Sequence, residues 1–210
     1  ALLVFILPLV GLGVIGASIL TWMMIIRLKR ASGELADREA LSRHQALHDA
    51  LSGLPNRHHF VERLQEALDG LVQTRNNGKV VVAYVDVDRF KDINDTMGHQ
   101  AGDALIMAVA TRLQRVLAPS DFLARFGGDE FAVLCRTGEN DAGEALAMRL
   151  RSAFEESFDV YGQNVRMTAS TGLAMAPEHG LSPQELMRHA DIALYQGKNQ
   201  GRDRAMFFCA

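Results

Sequence analysis

The 210 residues carry 22 lysines and arginines against 25 aspartates and glutamates, a net charge of -3, and 48% of them are hydrophobic. This balance argues against a polynucleotide-binding surface and leaves room for one ordinary globular domain with additional segments. Cys135, in an apolar run, and Cys209, near the last residue, do not make a disulfide framework.

Residues 1–26 are almost wholly apolar and carry no charge. A bilayer core needs about 20 such residues in helical form, so a transmembrane helix is expected, with Gly13 and Ala17 as a small-residue spacing on one face. A secretory signal peptide fits less well, because the stretch lacks a basic start and is longer than a signal core. Arg27, Lys29 and Arg30 follow at once, and the positive-inside rule then puts the rest of the chain in the cytoplasm. The expected location is the inner (cytoplasmic) membrane, with residues 1–30 as anchor and basic flank. With no initiating Met, a longer protein is expected to begin upstream.

Residues 31–50 alternate charges around Leu35, Leu41 and Leu47 and read as a helical linker, either a signalling helix or a solvated connector. His44, His48, His58 and His59 come without thiolates or a fixed carboxylate pattern, so surface histidines are expected rather than a metal site.

The third segment, residues 51–210, mixes helices and strands. Gly53, Pro55 and Asn56 break the linker, and Asn56 caps a helix with Phe60, Leu64, Leu68 and Leu71 at helical spacing. Val80 to Val87 is a continuous apolar run, as in a strand covered on both faces, and it delivers Asp86 and Asp88 at its end. A helix is predicted from about Ala101 to Leu117, another over Ala142 to Phe158, a strand over Val165 to Met175, and a last helix over Pro183 to Gln196 capped by Ser182. Phe60, Tyr84, Met107 and Phe154 are expected in the core.

Between the second and third predicted helices lies Arg125-Phe126-Gly127-Gly128-Asp129-Glu130-Phe131. Two extended runs joined by Gly127-Gly128 read as a β-hairpin whose central residues both take φ > 0, with Asp129 and Glu130 directly after the turn. Hard carboxylate oxygens such as those of Asp86 and Asp129 suit magnesium if the two strands that carry them are neighbours.

Further motifs stand in order along the chain: His48-Asp49-Ala50-Leu51-Ser52-Gly53-Leu54-Pro55-Asn56-Arg57, Asp86-Val87-Asp88-Arg89-Phe90-Lys91, Asn94-Asp95-Thr96-Met97-Gly98-His99, Gly102-Asp103, and Ala193-Leu194-Tyr195 with Lys198 and Gly201-Arg202. From His48 to Arg204 this set resembles the GGDEF family, the diguanylate cyclases. The resemblance implies an α+β domain with a palm-like antiparallel central sheet flanked by helices, similar to nucleotidyl cyclases.

It also implies a chemistry. Asp86, the carbonyl of Val87 and Asp129 fall on positions that hold two Mg2+, with Mn2+ as a substitute, and either Asp129 or Glu130 assists removal of the 3'-hydroxyl proton. Asn94 and Asp103 correspond to guanine-binding positions, and a carboxylate beside an amide suits the N1-H, N2-H and O6 edge of guanine. Lys91, Lys198 and Arg202, with the backbone N-H groups of Arg89 and Phe90, correspond to the triphosphate-binding set. The implied reaction condenses two GTP into cyclic di-GMP and two pyrophosphates between two domains of a homodimer. A rival reading is a non-catalytic module that binds GTP and regulates an adjacent EAL-type phosphodiesterase domain.

One stretch departs from the family pattern. Many relatives carry Arg-x-x-Asp ahead of the signature as a product-binding inhibitory site, whereas this chain has Ala118-Pro119-Ser120-Asp121. The inhibitory site is therefore expected to be absent, although Asp121 is retained and Arg115 lies one helical turn earlier.

Overall fold

The computed structural model describes residues 22–24, 27, 45–74, 78–138 and 141–209. Apart from residues 22–24, the predicted membrane span lies outside the described residues, as do most of the linker and His44. Among the described residues, no helix is long and apolar enough to cross a membrane. The chain divides into two units, Ala1–Ala46 and Leu47–Ala210, and the fold is that of the second.

Helix α1 (Arg57–Thr74) begins where Asn56 Oδ1 accepts the N-H of His59 at 3.1 Å. Strand β1 (Lys79–Val87) follows, then α2 (Phe90–Met97) and α3 (His99–Val116). Strands β2 (Phe122–Gly127) and β3 (Glu130–Thr137) form the hairpin, and α4 (Ala142–Ser152) comes next. A two-stranded ribbon, β4 (Phe158–Val160) and β5 (Gln163–Val165), precedes β6 (Ala169–Ala176), α5 (Pro183–Asn199) and β7 (Ala205–Phe207).

The main sheet has the order β2-β3-β1-β6-β7. Its pairs are antiparallel except β6–β7, which is parallel. The sheet is thus mixed rather than purely antiparallel, because α5 carries the chain back across the sheet and a crossover returns the next strand in the same direction. Successive β1 residues alternate between two cores. Val81, Ala83, Val85 and Val87 pack with Leu105, Ile106, Val109 and Leu113 of α3 and Leu146 and Leu150 of α4. Val80 and Val82 pack with Phe60, Leu64 and Leu68 of α1 and Leu186 and Ala190 of α5. Burying β1 on both faces is what its unbroken apolar sequence requires.

Several expected boundaries move. The third predicted helix ends at Ser152, not Phe158, because the Arg112 guanidinium donates to the carbonyls of Ala153 and Ser157 and stacks 3.7 Å over Phe158, holding that segment out of helix. Val165 belongs to the ribbon, and the strand predicted from it begins at Ala169. Helix α2 was not expected. Met107 is 46% exposed and lies outside the core, and Tyr84 is only partly buried, whereas Phe60 and Phe154 are buried as expected. His48 and His59 are half-buried rather than superficial: His59 sits edge-on to His48 at 5.7 Å and to Phe122 at 5.1 Å between ring centroids.

Candidate active site

The hairpin turn sits one residue later than the glycine pair alone suggests. Gly127 pairs with Glu130 after a register shift between Arg125 and Gly127, so Gly128 and Asp129 form the turn and Glu130 opens β3. The glycines take φ of 131° and 53°, a region that costs them no Cβ clash. Asp129 is therefore a turn residue, and its carbonyl accepts the N-H of Val87 at 3.2 Å. In the β1–β3 register Asp86 lies directly opposite Glu130. The end of β1 and the hairpin tip thereby bring Asp86, Asp129 and Glu130 to one place.

The electrostatics follow from that crowding. Burial pushes the Asp86 carboxyl up to about 6, and the charges of Asp129 and Glu130 push the same way. The opposing influence is Lys198, whose Nζ lies 2.6 Å from Asp86 Oδ2. Lys198 stands in the last turn of α5, where the capping box of Ser182 and Glu185 fixes the other end of the helix. Glu130 also borders a cavity of about 570 Å³ between α1 and α5, lined by Tyr84, Phe126, Met187 and Asp191 among others.

Asp88, quoted in a motif but given no role from sequence, proves to be a structural hub. Its buried carboxylate accepts the hydroxyls of Thr168 and Ser170, both at 2.7 Å, and the N-H of Asp203 at 3.0 Å. That last bond fixes the loop that carries Arg202, whose Nε stands 4.0 Å from Asp88 Oδ1. Arg202 and Lys198 are thus held near the end of β1, from β7's approach and from α5 respectively.

On the other side of β1, Arg89 takes a left-handed φ of 58° and turns the chain into α2. The first N-H groups of a helix have no intrahelical acceptors, so Arg89, Phe90 and Lys91 present donors just past the carboxylates. Asn94 of α2 packs onto Gly102 of α3 so closely that a Cβ there would collide with Asn94 Oδ1. Asp103 is exposed on α3. It stands in the second turn, since α3 begins at His99.

Two more residues escaped the sequence reading. Arg125, 9% exposed, donates from Nη1 to Asp49 Oδ1 at 2.6 Å and from Nε and Nη2 to the Gly128 carbonyl at 3.2 and 2.8 Å. Asp49 Oδ1 also accepts from Ser52 N and Oγ. Partial burial alone would raise the Asp49 carboxyl, but the Ser52 bonds and Arg125 bring it below the usual range. The start of the domain is thereby tied to the hairpin turn. At the expected inhibitory stretch, Asp121 accepts the Ala118 N-H at 2.9 Å and pairs with Arg149 of α4 at 2.7 Å.

No group of three or more His, Cys, Asp or Glu side chains makes a closed metal cage among the described residues. Asp86 and Asp129 supply two carboxylates at the hairpin tip instead, and magnesium suits such a pair, since one or two carboxylates can hold it while water and substrate phosphates complete its shell. The residues fit a divalent cation of this kind.

Fold and site together define a cyclase-type α+β domain, with carboxylates and cations gathered at one end of a mixed sheet. A family model described as "Diguanylate cyclase, GGDEF domain" matches residues 46–204, and the chain belongs to this GGDEF family. It is 38% identical over 184 residues to diguanylate cyclase TpbB of Pseudomonas aeruginosa (strain UCBPP-PA14), covering 85% of this chain and 41% of that protein. It is 37% identical over 182 residues to cyclic di-GMP phosphodiesterase NbdA of P. aeruginosa, covering 87% of this chain and 23% of that protein. The chain thus spans less than half the length of these curated relatives.

Among solved structures, a GGDEF-only form of TpbB from P. aeruginosa matches with a TM-score of 0.74 at 36% identity, covering 77% of this chain and 94% of that one. The coiled coil and GGDEF domain of DgcB from Caulobacter crescentus, in complex with c-di-GMP, matches with a TM-score of 0.73 at 31% identity, covering 88% and 98%.

Proposed function

We propose that this chain is a catalytic diguanylate cyclase domain that condenses two GTP into cyclic di-GMP and two pyrophosphates. The observation that carries this reading is the convergence of Asp86, Asp129 and Glu130 at the hairpin tip with Lys198 beside them. A scaffold has no need to gather three carboxylates at one point, where burial first and the charges of Asp129 and Glu130 second raise Asp86. The rival, a nucleotide-binding regulator of a phosphodiesterase domain, draws on relatives named as phosphodiesterases, NbdA among them. Retention of the whole acidic set favours catalysis.

In this mechanism Asn94 and Asp103 take the guanine edge, and leaving these groups unpaired is what rejects adenine. Lys91, Arg202 and Lys198, with the N-H groups of Arg89 and Phe90, hold the triphosphate. Asp86, the Val87 carbonyl and Asp129 would hold a pair of divalent cations, which would supply charge neutralisation on the phosphates and acidify the attacking hydroxyl. Asp129 or Glu130 accepts the 3'-hydroxyl proton. The 3'-oxygen of one GTP bonds to the α-phosphorus of the other, the α–β bond breaks, and pyrophosphate leaves; the reciprocal step closes the ring. Each domain holds one GTP, so two copies meet as an antiparallel homodimer.

Residues 1–26 act in this account as a membrane anchor that keeps the domain cytoplasmic and raises its local concentration. The reading is tested by diluting a form without residues 1–30 in GTP and magnesium while following cyclic di-GMP by chromatography. Activity per molecule falls on dilution if two domains must meet. Activity that stays flat contradicts the two-domain reaction.

A further inference from the structure

A triphosphate-binding role alone does not account for the place that Lys198 occupies. Its ammonium is 2.6 Å from Asp86 Oδ2, and the Asp86 side chain is only 9% exposed. Asp129 and Glu130 add their charges at the same point. Among the described residues, no other ion pair reaches any of these three carboxylates. The backbone beneath Lys198 is fixed, since Ala193, Leu194 and Gly197 are buried against the sheet side of α5, while the lysine head remains partly exposed. The ammonium can thus move by rotamer change alone. A compact charge with rotatable donors on a four-carbon stem suits such movement better than the rigid fork of arginine.

Resting on the function proposed above, we infer that Lys198 exchanges partners as the site loads: it neutralises Asp86 in the metal-free domain and passes to the triphosphate when a divalent cation takes Asp86. A cation arriving alone must break the Lys198–Asp86 pair and leave the ammonium without an equal partner. A cation arriving with a nucleotide meets no such loss, because the phosphates receive the ammonium as the carboxylate is vacated. Metal and nucleotide therefore assist one another, and linkage makes the assistance equal in both directions. The exchange disfavours a metal-loaded, nucleotide-free site and keeps the carboxylate cluster partly neutralised before substrate arrives.

The test follows free Mn2+ by its electron paramagnetic resonance signal at pH 8, using the full chain with and without 3'-deoxy-GTP, which binds but lacks the attacking hydroxyl. In the native protein the nucleotide tightens Mn2+ binding by about tenfold or more, within the usual span of coupling between sites. Lys198→Met removes the ammonium and keeps the apolar stem. Loss of a phosphate contact weakens nucleotide binding on any reading, so the deciding quantity is the Mn2+ affinity of the nucleotide-free protein. The exchange predicts that it rises about tenfold in Lys198→Met and that the help from nucleotide largely disappears, while Lys198→Arg keeps the low nucleotide-free affinity but, moving less readily, shows less help from nucleotide than the native protein. An unchanged or weaker Mn2+ affinity in nucleotide-free Lys198→Met overturns the exchange. It leaves the proposed function standing if Asp86→Asn still abolishes Mn2+ binding. If the native protein binds no Mn2+ even with nucleotide, both the exchange and the proposed function fall. Near-UV circular dichroism checks folding, and Lys198→Gln replaces Lys198→Met if the latter does not fold.

Discussion

Arg125→Ala offers a clear test of how the hairpin turn is held. The side chain makes one charged bond to Asp49 and two to the Gly128 carbonyl, and it is 9% exposed. Removing one member of a buried ion pair costs about 3–5 kcal/mol. Here Asp49 is 21% exposed and keeps its bonds from Ser52, so the charge left behind is partly solvated and its share falls to about 1–2 kcal/mol. The Gly128 carbonyl loses its donors as well, adding about 1 kcal/mol. The expected loss is about 2–3 kcal/mol of unfolding free energy, read as a shift of the urea midpoint at unchanged slope. Arg125→Lys keeps the charge without the fork and should lose about half as much. A double-mutant cycle with Asp49→Ala isolates the pair, with an expected coupling of about 1–2 kcal/mol at pH 7. Because the Asp49 carboxyl lies below its unfolded value, this contribution is present above the ordinary aspartate range and is lost as pH falls through the lower folded value. Independent, additive effects of the two substitutions would refute the tie.

Gly102→Ala places a methyl group against Asn94 Oδ1; the KM for GTP should rise about tenfold while stability changes by less than about 1 kcal/mol, since the far end of Asn94 can yield. Asp86→Asn concerns pH in the metal-free protein. The folded carboxyl titrates near 6, above its unfolded value of 3.8, so its contribution is full below about 4 and is lost as pH rises through 6. Relative to native, the Asn variant should therefore gain in melting temperature between pH 4 and 7, and a difference that is flat with pH would contradict the raised carboxyl. For feedback, Ala118 offers cyclic di-GMP no cation and Asp121 is already engaged by Arg149, so product inhibition should be weak and Ala118→Arg should strengthen it. Tight non-competitive inhibition of the native chain would count against that view.

What the sequence made legible was local. The apolar run of β1, the Asn56 and Ser182 caps and the helical spacing of α1 and α3 are signals between near neighbours, and each element appears where they place it. Helix α2 was not visible because Asp92, Asn94, Asp95 and Thr96 are poor interior helix formers; packing of Phe90 and Ile93 on the core overrides that preference. The end of α4 depends on Arg112, about 40 residues away along the chain. Strand β7 has three residues, too few for a period to show, and its parallel pairing comes from the α5 crossover. In the candidate site, residue types and order pointed to the chemistry. The adjacency of Asp86 and Glu130 came from β1–β3 register, and the roles of Asp88 and Arg125 came from bonds to partners 115 and 76 positions away. No local pattern encodes such bonds.

The central claim is that the carboxylates at the hairpin tip make this domain a cyclase. Native protein and Asp129→Asn, each confirmed folded by circular dichroism, are incubated with GTP and magnesium, and the nucleotides are separated by chromatography. The account predicts cyclic di-GMP and pyrophosphate from the native chain and a loss of about 10³-fold or more in the variant, the scale expected when a positioned electrostatic contribution is removed. Failure of the native chain to make cyclic di-GMP, or native-level turnover in Asp129→Asn, would contradict it.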